Sequence, residues 1–167
     1  AAAWPPVAAG RGRPAPPPAA RAPGPSAGLP PLLGRDAELR RLREMVEQSP
    51  LVTVTGAGGS GKTLLARHLL HALQGWRPQG EAWVELLDVP HAAALPQAVA
   101  AALGIESGAG SAQALAHDLR GSDRLLVLDN AEHLLPAVGE LVQVLRDAAP
   151  DVRLRVTSQA SLKRPDE

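Results

Sequence analysis

Past residue 31 the apolar positions fall into two rhythms, one near the helical period of about 3.6 residues and one of two. Leu39, Leu42 and Val46 form one stripe, with Arg40, Arg41, Arg43, Glu44 and Glu47 facing away. This predicts a helix over residues 37–48 with Asp36 as its cap. Leu51-Val-Thr-Val-Thr55 is rich in β-branched residues and reads as a strand. A Gly-rich turn follows, then a helix over residues 62–73 stopped by Gly75. Trp83, Val84, Leu86 and Leu87 predict a second strand over 81–88. Two Ala-rich helices are expected over 91–103 and 111–120, separated by a loop at 104–110. Leu125-Leu-Val-Leu128 is a continuous apolar run, as a strand buried on both faces would be. A helix over 132–148 carries Leu134, Leu135, Val138, Leu141, Val142 and Leu145. Val152-Arg-Leu-Arg-Val-Thr157 alternates like a strand, and Arg153 and Arg155 are read as its solvated face. Strands alternating with helices predict an α/β fold with a parallel sheet covered by helices.

The first 31 residues break this pattern. They hold ten of the 17 prolines, and their only charges are Arg11, Arg13 and Arg21. So little apolar surface could be buried there that residues 1–31 are expected to be a flexible linker, with a P-loop domain over residues 32–167. The chain does not begin with Met, as expected of a fragment or a processed product. Its 17 basic and 17 acidic residues balance, which gives no electrostatic case for nucleic acid or an anionic membrane as a direct partner. Cys is absent, which excludes disulfides and thiolate metal sites and fits a cytoplasmic protein. No apolar run approaches the roughly 18 residues of a membrane span.

The turn after residue 55 carries the chemistry. Gly56-Ala57-Gly58-Gly59-Ser60-Gly61-Lys62-Thr63 has the P-loop spacing G-x-x-x-x-G-K-[ST], between a strand and a helix as that motif requires. The glycines let successive backbone N–H groups turn toward phosphate oxygens. The helix N-terminus favours anions, Lys62 supplies a point charge, and the Thr63 hydroxyl can ligate Mg²⁺. The ligand expected is ATP or ADP with Mg²⁺. The apolar run ending at Asp129 would deliver a carboxylate to the metal from the C-terminal edge of the sheet. Helix capping is the plainer role for Asp129 and for Asn130.

Four segments together resemble the STAND class of signal-transduction ATPases, in particular the NB-ARC-like modules of bacterial transcriptional regulators. They are Leu32-Leu-Gly-Arg35-Asp-Ala-Glu-Leu39, the P-loop, Leu125-Leu-Val-Leu-Asp-Asn-Ala-Glu-His-Leu134, and Val156-Thr-Ser-Gln159. The resemblance implies a P-loop NTPase three-layer sandwich with a mainly parallel sheet. It implies that Leu33-Gly34-Arg35 lies beside the adenine. It places the strand of Leu154–Ser158 between the P-loop strand and the Asp129 strand, with its end, at Gln159, sensing the γ-phosphate. It implies a switch, closed with ADP and opened by an inducer and ATP, often self-associating. Effector domains elsewhere in the full-length protein would carry its output.

Three departures from the family pattern bear on chemistry. The γ-phosphate sensor, often Arg, is Gln159, which carries no charge. The position after Asp129 is Asn130, where many P-loop ATPases have a water-activating acid. Glu132 is nearby, though an acid at a helix start is commonly there for the dipole. The chain also stops at Glu167, before the family's fifth strand, which leaves residues 51–55 as an edge strand. These features predict a regulatory switch with slow ATP hydrolysis. The alternatives are a working P-loop ATPase or kinase, and an interaction scaffold that uses no nucleotide. His68, His71, His133, Trp76 and Trp83 are read as ordinary packing or surface residues.

Overall fold

The computed structural model describes residues 28–105 and 110–163. The linker expected over 1–31 lies largely outside the described residues, as does most of the loop at 104–110.

Helix α1 (Asp36–Gln48) leads into strand β1 (Leu51–Thr55), and helix α2 (Lys62–Ala72) follows the Gly-rich turn. Strand β2 (Glu81–Glu85) precedes helices α3 (Leu95–Ala102) and α4 (Ala112–Asp118). Strand β3 (Leu125–Asp129), helix α5 (Leu135–Ala148) and strand β4 (Arg153–Ser158) complete the described chain. The sheet order is β1-β4-β3-β2 with every pairing parallel. That is the order implied by the family resemblance, with β1 at one edge of the sheet formed by the described residues.

Alternation along the strands feeds two cores. Val84, Leu126, Leu128, Leu154 and Val156 pack with α3, α4 and α5 on one face. Val52, Leu125 and Val127 pack with Leu42 and Val46 of α1 and Leu65, Leu69 and Leu70 of α2 on the other. The result is a three-layer α/β sandwich. All five residues of β3 are buried, as its unbroken apolar run requires.

Several local expectations are corrected. Arg35, not Asp36, is the residue before the first turn of α1, and no side chain caps that helix. Gly34, with a φ of +71°, precedes the cap position, and Asp36 lies inside the first turn beside Glu38. There it favours the helix through the dipole rather than through a cap. Strand β2 stops at Glu85 because Leu86–Asp88 winds into a 3₁₀ turn. Pro96 and Pro136 each lie in the first turn of their helix, which sets the starts of α3 and α5 at residues 95 and 135. Short 3₁₀ turns, Ala92–Ala94 and Ala131–Leu134, replace the first turns expected.

The largest correction concerns Arg155. It is only 2% exposed, whereas Arg153 is half-buried. Helices pack on both faces of the sheet, and β4 lies in its interior between β1 and β3, so neither face of β4 is free. Arg155 shares the face toward α1 and donates to the carbonyls of Val46, Ser49, Pro50 and Leu154. Trp76 and Trp83 pack against the same core, each with a guanidinium over its ring, from Arg77 and Arg67. His68 lies 2.8 Å from the Pro30 carbonyl, and the exposed His133 lies 3.1 Å from that of Val89.

Candidate nucleotide site

Parallel strands end at one edge, and that edge gathers the residues picked out from the sequence. The chain leaves β1 through Gly56-Ala57-Gly58-Gly59-Ser60-Gly61. Gly59 and Gly61 have φ values of +74° and +81°, which favour glycine over any residue with a Cβ. A Cβ on Gly61 would also stand 2.9 Å from the Arg35 Nη1 atom. Arg35 donates from Nη1 to the Ser60 carbonyl at 2.7 Å and pairs with Glu38 at 2.6 Å. It thereby ties the start of α1 to the loop.

Lys62 opens α2 and is buried. Its Nζ donates to the carbonyls of Gly56 at 2.8 Å and Ala57 at 3.0 Å. Both partners are neutral, and among the described residues Lys62 makes no ion pair. No side chain caps α2, so its first amides have no internal partner. A buried cation and uncapped amides at one loop form a setting suited to an anion.

Asp129 ends β3 with no exposed surface. Thr63 Oγ1 donates to its Oδ1 at 3.1 Å, and Thr157 Oγ1, from β4, donates to the same oxygen. Burial raises the Asp129 carboxyl above the usual carboxylate range, with the Glu85 charge adding to the rise. The two threonine hydroxyls and the Arg67 charge oppose it. Asn130 follows in the left-handed region at a φ of +59°, and its N–H donates to Thr157 Oγ1 at 3.0 Å. Its Nδ2 donates to Glu85 Oε1 at 2.6 Å and lies 3.4 Å from Asp129 Oδ2. Gln159 is exposed just past β4, and a Cβ on Gly58 would lie 3.8 Å from its Nε2. Glu132 is half-buried in the turn after Asn130.

The fold thus brings Arg35, the loop, Lys62, Thr63, Asp129 and Gln159 to one region. The sequence reading assigned no role to Thr157 or Glu85. Each is a polar residue at or next to the end of a strand, and that position was the one signal available.

A Gly-rich loop between a parallel strand and a helix, with a buried Asp ending a neighbouring strand, defines the P-loop NTPase class of α/β fold. Residues 31–157 match the AAA ATPase domain, and the chain belongs to that family. It is 32% identical over 120 residues to a Mycobacterium tuberculosis (strain ATCC 25618 / H37Rv) protein named "Putative HTH-type transcriptional regulator Rv0890c". That match takes in 71% of this chain and 13% of the regulator. A second protein of the same strain, Rv0894, is 29% identical over 132 residues, or 78% of this chain and 34% of its own. The chain therefore spans well under half the length of these curated relatives. Among solved structures, Cdc6p from Pyrobaculum aerophilum superposes with a TM-score of 0.63 at 19% identity, over 81% of this chain and 41% of that one. Drosophila ORC bound to DNA gives 0.62 at 19% identity, over 79% and 39%. At such identity these two establish the fold alone.

The AAA family implies nucleotide and Mg²⁺ in general terms, and the residues present fit both. Lys62 makes no ion pair among the described residues, and Gly61 takes a left-handed φ of +81° that favours glycine. A hydroxyl and a carboxylate already adjoin at Thr63 and Asp129, a donor set suited to a hard cation. Bound Mg²⁺ would neutralise charge on the terminal phosphates. Among the described residues no helix is long and apolar enough to cross a membrane.

Proposed function

We propose that the chain is an ATP-binding regulatory switch of the STAND, NB-ARC-like kind, hydrolysing ATP slowly inside a larger signalling or transcriptional regulator. The observation that carries this reading is the Thr63–Asp129 contact at 3.1 Å beside a Lys62 that makes no ion pair among the described residues. In this reading residues 56–63 hold the phosphates, Thr63 and Asp129 hold Mg²⁺, and Gln159 senses the γ-phosphate. Arg35 braces the loop near the base. Residues 32–167 form the nucleotide domain and residues 1–31 a linker to further segments.

The regulator's name and the small share of it that this chain spans support effector domains elsewhere in the full-length protein. An uncharged Gln159 and an amide at Asn130 support slow turnover. ATP-dependent self-association and a cytoplasmic location belong to the same reading, as does the lack of a direct nucleic-acid contact from this segment. Titration of the chain with a fluorescent ATP analogue, with and without Mg²⁺, tests the core of it. Saturable Mg²⁺-dependent binding is expected. An absence of binding would leave the scaffold reading in its place. A steady-state turnover above roughly 10 s⁻¹, the median for enzymes, would favour a working ATPase instead.

A further inference from the structure

Hydrolysis at this site needs a group to take a proton from water, and the residue after Asp129 cannot do so, because Asn130 is an amide. A second carboxylate stands at the same edge. Glu85 is the last residue of β2, and its Cα pairs with that of Asp129 in the parallel ladder. The side chain is half-buried, so it is neither sealed in the core nor free in solvent. Its Oε1 accepts the 2.6 Å hydrogen bond from Asn130 Nδ2. The same amide nitrogen lies 3.4 Å from Asp129 Oδ2 and so sits between the two carboxylates. Asn130 is itself fixed, because its N–H is held by Thr157 and its backbone takes a left-handed conformation that Asn tolerates better than most residues.

We infer that Glu85 is the carboxylate that orients and deprotonates the attacking water, with Asn130 holding it in place. The inference rests on the ATPase reading above. In the step, the water oxygen bonds the γ-phosphorus while its proton passes to a Glu85 oxygen. The bond from that phosphorus to the β,γ-bridging oxygen breaks, and the oxygen leaves with the electron pair on ADP. Glu85 then returns the proton to solvent, leaving ADP and inorganic phosphate. The carboxylate that position 130 lacks is thus supplied across the ladder from β2. While the Asn130 amide occupies its Oε1, water competes for it poorly, which accords with slow turnover.

Glu85→Gln tests this, because the Gln carbonyl can still accept from Asn130 Nδ2 and so spare the fold. Turnover, affinity for a fluorescent ATP analogue and melting temperature would be measured on wild-type and variant chains. After incubation with stoichiometric ATP, the bound nucleotide would be identified. Turnover is expected to fall about a hundredfold, within the usual range for loss of a general base. Affinity and melting temperature should be unchanged, and the variant should retain ATP where the wild type holds ADP. Turnover within about threefold of wild type would overturn the assignment while leaving the ATPase reading intact. A joint fall in affinity and melting temperature would also overturn it, making Glu85 a structural partner of Asn130. A wild-type chain that binds no ATP would bring down the ATPase reading and this inference with it.

Discussion

Thr63 and Thr157, one on α2 and one on β4, donate their hydroxyls to the same oxygen of Asp129. The two threonines differ in what else depends on them. Thr157 also accepts the Asn130 N–H at 3.0 Å, whereas among the described residues no second bond of this kind falls to Thr63. Thr157→Val should therefore orphan a backbone donor and lower stability by about 1–3 kcal/mol. Thr63→Ala should cost less stability, and should weaken nucleotide binding with Mg²⁺ present but not in EDTA. Denaturant melts paired with ATP-analogue titrations measure both. An equal loss of affinity in EDTA would remove Thr63 from the metal.

Among the described residues Lys62 is held by two carbonyls of its own loop and by no acid. A triphosphate would offer its ammonium a far stronger partner, so the lysine is expected to turn from the carbonyls to the ligand. Lys62→Ala should weaken ATP binding by at least about tenfold, the loss of a charge-assisted contact worth roughly 1.5–3 kcal/mol. The nucleotide-free chain should melt within a few degrees of wild type. Unchanged affinity would take Lys62 out of the site.

Gln159 hangs near Gly58 with an uncharged amide where the STAND resemblance implies Arg. Gln159→Arg should place a positive charge close to the terminal phosphate. A gain of about 1 kcal/mol in the transition state would raise turnover roughly fivefold. Steady-state phosphate release reads it directly. Turnover unchanged at saturating ATP would mean that position 159 does not reach the γ-phosphate.

The elements that could be read in advance were those whose own residues decide the outcome. The run Leu125–Leu128 had to be buried on both faces, and it is. The P-loop spacing fixed the strand, turn and helix around it. The strand order came from family likeness, because a period of two says that a segment is a strand but not which strand lies beside it. That gap explains the misses. Glu85 and Asn130 lie 45 residues apart and meet only through the β2–β3 ladder. Arg153 and Arg155 alternate as they would on a solvated face, and nothing local reveals that the end of α1 covers one of them. Proline in a first helical turn, at Pro96 and Pro136, was a local signal left unused.

Arg155 is the largest of the almost fully buried side chains among the described residues. Desolvation pushes its guanidinium down to about 9, so it is still charged at neutral pH and held there at a cost. The carbonyls around it offset that cost. Val46 lies in the last turn of α1, where the N–H it would need four residues on belongs to Pro50, which has none. Arg155 Nη2 takes that place, donating to Val46 and, at 3.2 Å, to Ser49. The guanidinium is in effect the cap of α1, supplied from the middle of the sheet. Arg155→Ala should leave those carbonyls buried without donors and open a void, lowering stability by about 3 kcal/mol. Arg155→Met should fill the void but not the hydrogen bonds and fall between the two. Arg155→Lys should also fall short of wild type, because one ammonium cannot reproduce the planar fork. Urea melts of the four chains would rank them. An Arg155→Met chain as stable as wild type would show that the hydrogen bonds only cancel the cost of burying the charge, and that Arg155 does not hold α1 to the sheet.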